Sequence, residues 1–218
     1  MLPILLSHYN ILVFTISFLI AIVAVLRYFS VSIFSRVSWR SILFLVIAFG
    51  IAQAVLLSYG QYMAWSSNEL GREFLSLPLP AETPLPIFLE WSRVLFSHHL
   101  GYFSFYVLGR FILPMVILFA LTGFFSFLLS LRARFYPINF REGDIAAIAT
   151  ALLVAGWPGV MVLVPFGFIF TVIIALIARL YGIERILLPP AFLLTAPLAF
   201  IFVVPVLKYL HLYTLLKI

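Results

Sequence analysis

The stretch Ser41–Tyr59, SILFLVIAFGIAQAVLLSY, runs for 19 residues without a charged side chain. As a helix it covers roughly 28 Å, close to the ~30 Å hydrocarbon core of a bilayer. Comparable runs recur at 9–25, 111–131, 160–178 and 186–206, with a shorter one at 145–157. An apolar run in lipid has no water to satisfy its backbone, and a helix bonds its own N–H and C=O groups within one segment. The pattern therefore predicts an all-α integral membrane protein: one polytopic domain over residues 1–218, with a bundle of about six transmembrane helices.

Composition agrees. The chain is 65% hydrophobic and 9% charged, against roughly 25% charged in soluble domains. It has no cysteine, which excludes disulfides, thiolate metal sites, iron–sulfur clusters and cysteine nucleophiles. The opening MLPILLSHYN lacks the basic start of a cleaved secretory signal, so the first apolar run is expected to remain as a span. The formal charge of +6 does not point to nucleic acid. Basic residues sit in short clusters between apolar runs rather than on one polar face.

Those clusters orient the chain. RYFSVSIFSRVSWR, between the first two runs, carries Arg27, Arg36 and Arg40 and no acid. Cytoplasmic loops are enriched in Lys and Arg, and on this assignment 8 of the 13 basic residues face the cytoplasm. Residues 60–104 form an outer segment with Glu69, Glu73, Glu82 and Glu90, four of the seven acids. Its prolines in LPLPAETPLP predict extended chain. The following IFLEWSRVLFSHHLGYF mixes apolar and polar residues at helical spacing, which predicts an interfacial or re-entrant helix. The run at 145–157 covers only ~20 Å. It is either a short tilted span or an extension inward past Asp144, and GWPG after it signals a turn.

Asp144 is the only aspartate, and it stands where a charged loop becomes this short run. Gly143, Ala147, Ala151 and Ala155 recur every fourth residue, giving one helix face on which another helix can approach closely. Asp144 at the helix start suits a cap, because free N–H groups and the helix dipole favour a carboxylate there. A catalytic role is the other reading, and it comes from a resemblance. The Gly143–Asp144 pair at the cytoplasmic start of a short apolar helix, the Trp157 turn and the late proline-rich ILLPPAFLLTAPLAF resemble the C-terminal half of type IV prepilin peptidases. These are intramembrane aspartic proteases with a Gly-x-Gly-Asp signature followed, two residues on, by lysine. The likeness covers about residues 140–202. Arg141 stands at the first signature glycine, Ala146 at the lysine, and 27–40 holds no aspartate to match the family's first. The resemblance implies a bacterial plasma membrane and aspartic endopeptidase chemistry.

Aspartic catalysis needs two carboxylates sharing a proton. Glu142, two residues from Asp144, points to another side of a helix, which leaves Asp144 with Glu184 as the one dyad available at the cytoplasmic face. The other polar groups of interest lie outside: Glu90, His98, His99 and Arg110. Adjacent histidines diverge by ~100° on a helix and zinc wants three or four converging ligands, so no metal and no cofactor is expected. Arg110 either snorkels to the interface or pairs with Glu90. The spans hold almost no ionisable groups, which disfavours a pump. Three functions remain: a non-catalytic membrane subunit or inactive prepilin-peptidase-like protein, an active peptidase, and a small transporter or lipid-handling protein. The expected partners are the lipid bilayer and other membrane proteins.

Overall fold

The computed structural model describes residues 8–31, 34–85, 87–135, 141, 143–182 and 188–212. Among these residues the structure is helical, and five helices are long and apolar enough to cross a membrane. They are α1 (Tyr9–Tyr28), α2 (Trp39–Ser66), α4 (Gly101–Phe135), α6 (Gly159–Leu180) and α7 (Leu188–Tyr209). Two shorter helices complete the set: α3 (Glu69–Ser76) in the outer segment and α5 (Asp144–Ala155), the apolar run that follows Asp144.

Local signals set the boundaries. Ser38 starts α2 by accepting the Ser41 N–H at 3.0 Å, and Asn68 starts α3 by accepting the Gly71 N–H at 2.5 Å. Each satisfies a donor that a helix start leaves free. Two long helices outrun the apolar runs that announced them. α2 continues through GQYMAWS to Ser66, and α4 begins at Gly101, where YFSFY is already helical. Aromatic and small polar residues favour the water–lipid interface without breaking a helix, so hydropathy ends before the helix does. Between them, Ile87–Phe96 forms a 3₁₀ run instead of the expected interfacial α-helix. The chain turns after it through Leu100, at φ +73°.

The outer segment folds on itself. The Leu79 N–H donates to the Phe96 carbonyl and the Tyr102 N–H to the Leu77 carbonyl, tying the proline-rich stretch to the start of α4. Arg93 donates to the carbonyls of Pro80, Ala81 and Thr83 and pairs with Glu90 at 3.1 Å. Trp65 lies among Phe74, Tyr102, Phe103 and Tyr106, with ring centroids 5.1–6.1 Å away. These offset and edge contacts hold α3 against the outer ends of α2 and α4.

The bundle is organised around its shortest apolar helix. At 12 residues, α5 is only ~18 Å long, and it packs against all five long helices. Ten of its residues are buried, from Asp144 and Ala147 through Ala155. Ala147 and Ala151 are fully enclosed, Ala155 nearly so. α6 and α7 form an antiparallel hairpin in which Phe192 lies on Gly167. By contrast, α1 touches α2 little, and α2 touches α4 little. The short helix is the wedge between them. Outward-facing Phe44, Val55, Phe124 and Leu176 are exposed, the surface such a bundle offers to lipid.

Candidate functional site

Two places bring polar groups together inside this apolar bundle, one at each end of α5. At its N-terminal end, Asp144 is 1% exposed. Its Oδ2 accepts the Arg141 N–H at 2.8 Å, and its Oδ1 is buried without a hydrogen-bond partner. The Tyr28 phenol at the end of α1 lies within electrostatic reach of the carboxylate, yet its hydroxyl makes no hydrogen bond of proper geometry. Arg27 stacks over Trp39 with its guanidinium carbon 6.0 Å from the ring centroid, a cation–π contact. The Trp39 indole in turn covers Gly143, whose φ is +91°.

The local sequence explains this arrangement. Gly143 adopts the left-handed conformation that glycine tolerates best, and that turn aims the first residue of α5 inward. A carboxylate there gains the helix dipole and one backbone donor. The other described acids, Glu69, Glu73, Glu82 and Glu90, belong to the outer segment. Among the described residues, Asp144 thus lies near the Tyr28 phenol and the Arg141 backbone, and the Trp39 indole covers the glycine before it. Glu184, its expected partner, lies outside the described residues, as does Glu142.

At the other end of α5 the wedge stops. Beyond Ala155 a cavity of about 490 Å³ opens between α1, α2, α4 and α7. Its floor is the α5–α6 turn, Leu153–Gly159, and its walls are apolar: Val13 and Ile20, Val46 and Phe49, Leu118 and Phe119, Phe200 and Val203. From Ile20 to Tyr9 along α1 it extends ~16 Å. Tyr9, Asn10, Ser17, Gln53 and Trp157 supply polar atoms, and Arg110 is the only charged residue among the described residues of its lining. Tyr9 donates to Gln53 Oε1 at 3.4 Å, joining α1 and α2 across the cavity's outer part.

Arg110 reaches this cavity from a distorted turn. Residues Leu108–Ile112 are π-helical, and the Leu113 N–H donates to the Leu108 carbonyl five residues back. The cause is Pro114, which has no N–H to offer the Arg110 carbonyl and whose ring crowds that carbonyl in a regular helix. Widening the turn relieves the clash. π-Turns of this kind are found frequently at functional sites.

The remaining expected positions fall elsewhere. Glu90 pairs with Arg93, and His98 and His99 are exposed, with ring centroids 6.0 Å apart. Neither histidine lines the cavity. Among the described residues no group of three or more His, Cys, Asp or Glu side chains could hold a metal. Sequence reading did not single out Tyr28, Trp39, Tyr9 or Gln53. Gln53 carried a usable signal, as an amide in the middle of a span. Compared with known proteins, the chain matches no family model, no curated protein and no solved structure.

Proposed function

We propose that this chain is a non-catalytic, multi-pass membrane protein that handles a small amphiphilic ligand in the cavity beyond α5. The observation that carries the reading is the cavity: about 490 Å³, apolar walls, a few polar groups and one arginine. Ligand sites typically enclose ~300–1,000 Å³ and combine a mostly apolar lining with a few convergent polar groups. On this reading α5 enters from the basic face and turns back at Gly156–Pro158, so it is a re-entrant half-span rather than a sixth crossing. The surroundings of Asp144 suit an anchor for the turn before α5 better than a protease centre, because its oxygen accepts the Arg141 N–H of that turn and its described neighbours are not acids.

The test is retention of a neutral amphiphile. Purified protein in nanodiscs is offered lyso-phosphatidylcholine, and bound lipid is counted by native mass spectrometry. The wild type retains one molecule. Ala54→Phe, which puts a ring into the cavity from α2, retains none. Absence of binding to the wild type, or equal binding to A54F, would overturn the reading.

A further inference from the structure

We propose that the ligand of this cavity comes from the bilayer itself and enters sideways between α1 and α2, through a slot latched by the Tyr9–Gln53 hydrogen bond. The inference rests on the ligand-handling reading above and adds the ligand's source, its route and the pair that controls it.

The slot follows from what each helix packs against. α1 leans on α5 and α7, and α2 leans on α5 and α3, whereas α1 and α2 touch each other little. α5 stands between them as a wedge and ends at Ala155. Past that point the cavity itself lies between two helices long and apolar enough to cross a membrane. Each gives it a wall: Val13, Ser17 and Ile20 from α1, and Val46, Gly50 and Ala54 from α2. Ile11, Phe18, Ile47 and Ile51 on the same two helices are exposed, so a hydrocarbon chain meets apolar surface outside the slot as well as within it.

The other cleft along α2 is closed by rings. A Cβ at Gly50 would lie 3.7 Å from the Phe119 ring of α4. Farther out, Tyr62 meets Phe103 with centroids 5.7 Å apart, and Trp65 meets Tyr106 at 5.1 Å. Across the α1–α2 slot the tie is polar instead. The Tyr9 hydroxyl donates to Gln53 Oε1 at 3.4 Å, longer than the usual O–H···O bond. Such a bond adds little net stability, and both partners can leave it by side-chain rotation without moving a helix. A phenol and an amide can also hydrogen-bond a passing polar headgroup, so entry exchanges one polar contact for another.

Loading of lyso-phosphatidylcholine into the full chain in nanodiscs is followed over time by native mass spectrometry, and release by a chase with deuterated lipid. Tyr9→Phe lacks the donor and should speed loading and release by about fivefold, the net worth of one hydrogen bond. The chain has no cysteine, so Tyr9→Cys with Gln53→Cys supplies its only thiols, and a bis-maleimide joins them. Cross-linking the empty protein should slow loading by about tenfold or more, as closing a gate does. Cross-linking the loaded protein should trap the lipid. The same reagent on Tyr62→Cys with Phe103→Cys, across α2 and α4, should leave exchange as it was. Unchanged exchange in the Tyr9–Gln53 cross-link, or arrest by the α2–α4 cross-link instead, overturns the route. Unchanged rates in Y9F overturn the latch, and that variant decides even if the double-cysteine chain does not fold. Each of these leaves the ligand-handling reading standing, whereas a wild type that retains no lipid overturns both.

Discussion

The indole of Trp39 occupies the space into which a side chain on Gly143 would project. The first residue of α2 thereby fixes the turn that launches α5, and Gly143 meets two demands at once. Its φ of +91° suits glycine, and the indole leaves no room for a Cβ. Gly143→Ala should therefore destabilise the protein by about 2–4 kcal/mol, combining backbone strain with overpacking. Thermal unfolding in detergent measures this. An unchanged midpoint would show that Trp39 moves aside freely.

Asp144 makes one hydrogen bond and leaves one oxygen bare. Asparagine keeps the acceptor for the Arg141 N–H and removes the buried charge, so Asp144→Asn should change stability by less than ~1 kcal/mol. Asp144→Ala loses the acceptor that holds the turn before α5 and should cost about 0.5–1.5 kcal/mol, the net worth of one intramolecular hydrogen bond. The same melts read both variants. Equal, large losses in both would mean that the carboxylate charge itself is needed.

The α6–α7 hairpin depends on a second missing side chain. A Cβ at Gly167 would come within 2.8 Å of the Phe192 ring, which is completely buried. Gly167→Ala should cost about 1–3 kcal/mol, and Phe192→Leu should recover part of that loss. A double-mutant cycle tests the coupling. Additive effects would place the strain elsewhere.

Arg93 acts on the outer segment alone. It donates to three carbonyls of the proline-rich stretch, at a partly exposed site where its ion pair with Glu90 adds little. Arg93→Ala should lower the global melting temperature only slightly. It should instead speed proteolysis between residues 80 and 85, because local opening becomes easier. Limited digestion followed by mass mapping checks this, and an unaltered cleavage rate would deny Arg93 the clamping role.

Five of the six expected spans were legible as helices long and apolar enough to cross a membrane, because length and hydropathy are both local. The Ala147, Ala151 and Ala155 spacing likewise marked a packing face, although α5 is enclosed well beyond that face. What stayed hidden is relational. Trp39 and Gly143 stand 104 positions apart, and nothing at either position announces their contact. Arg110 reads as an interfacial arginine until α1, α2 and α7 close a cavity around it. Gln53 looks incidental until Tyr9 reaches it. Helix ends were misjudged where the chain meets the interface, since GQYMAWS and YFSFY suit a helix and a loop equally well.

The central place of α5 also constrains how the chain assembles. Its most extensive partner is α7, which emerges from the ribosome later. While α1, α2 and α4 wait in the membrane, a polar-tipped alanine-rich segment has to be held without its main neighbour. The bundle becomes a single cooperative unit only when the final hairpin arrives, so a chain truncated before Leu188 should be a substrate for membrane quality control rather than a smaller working protein.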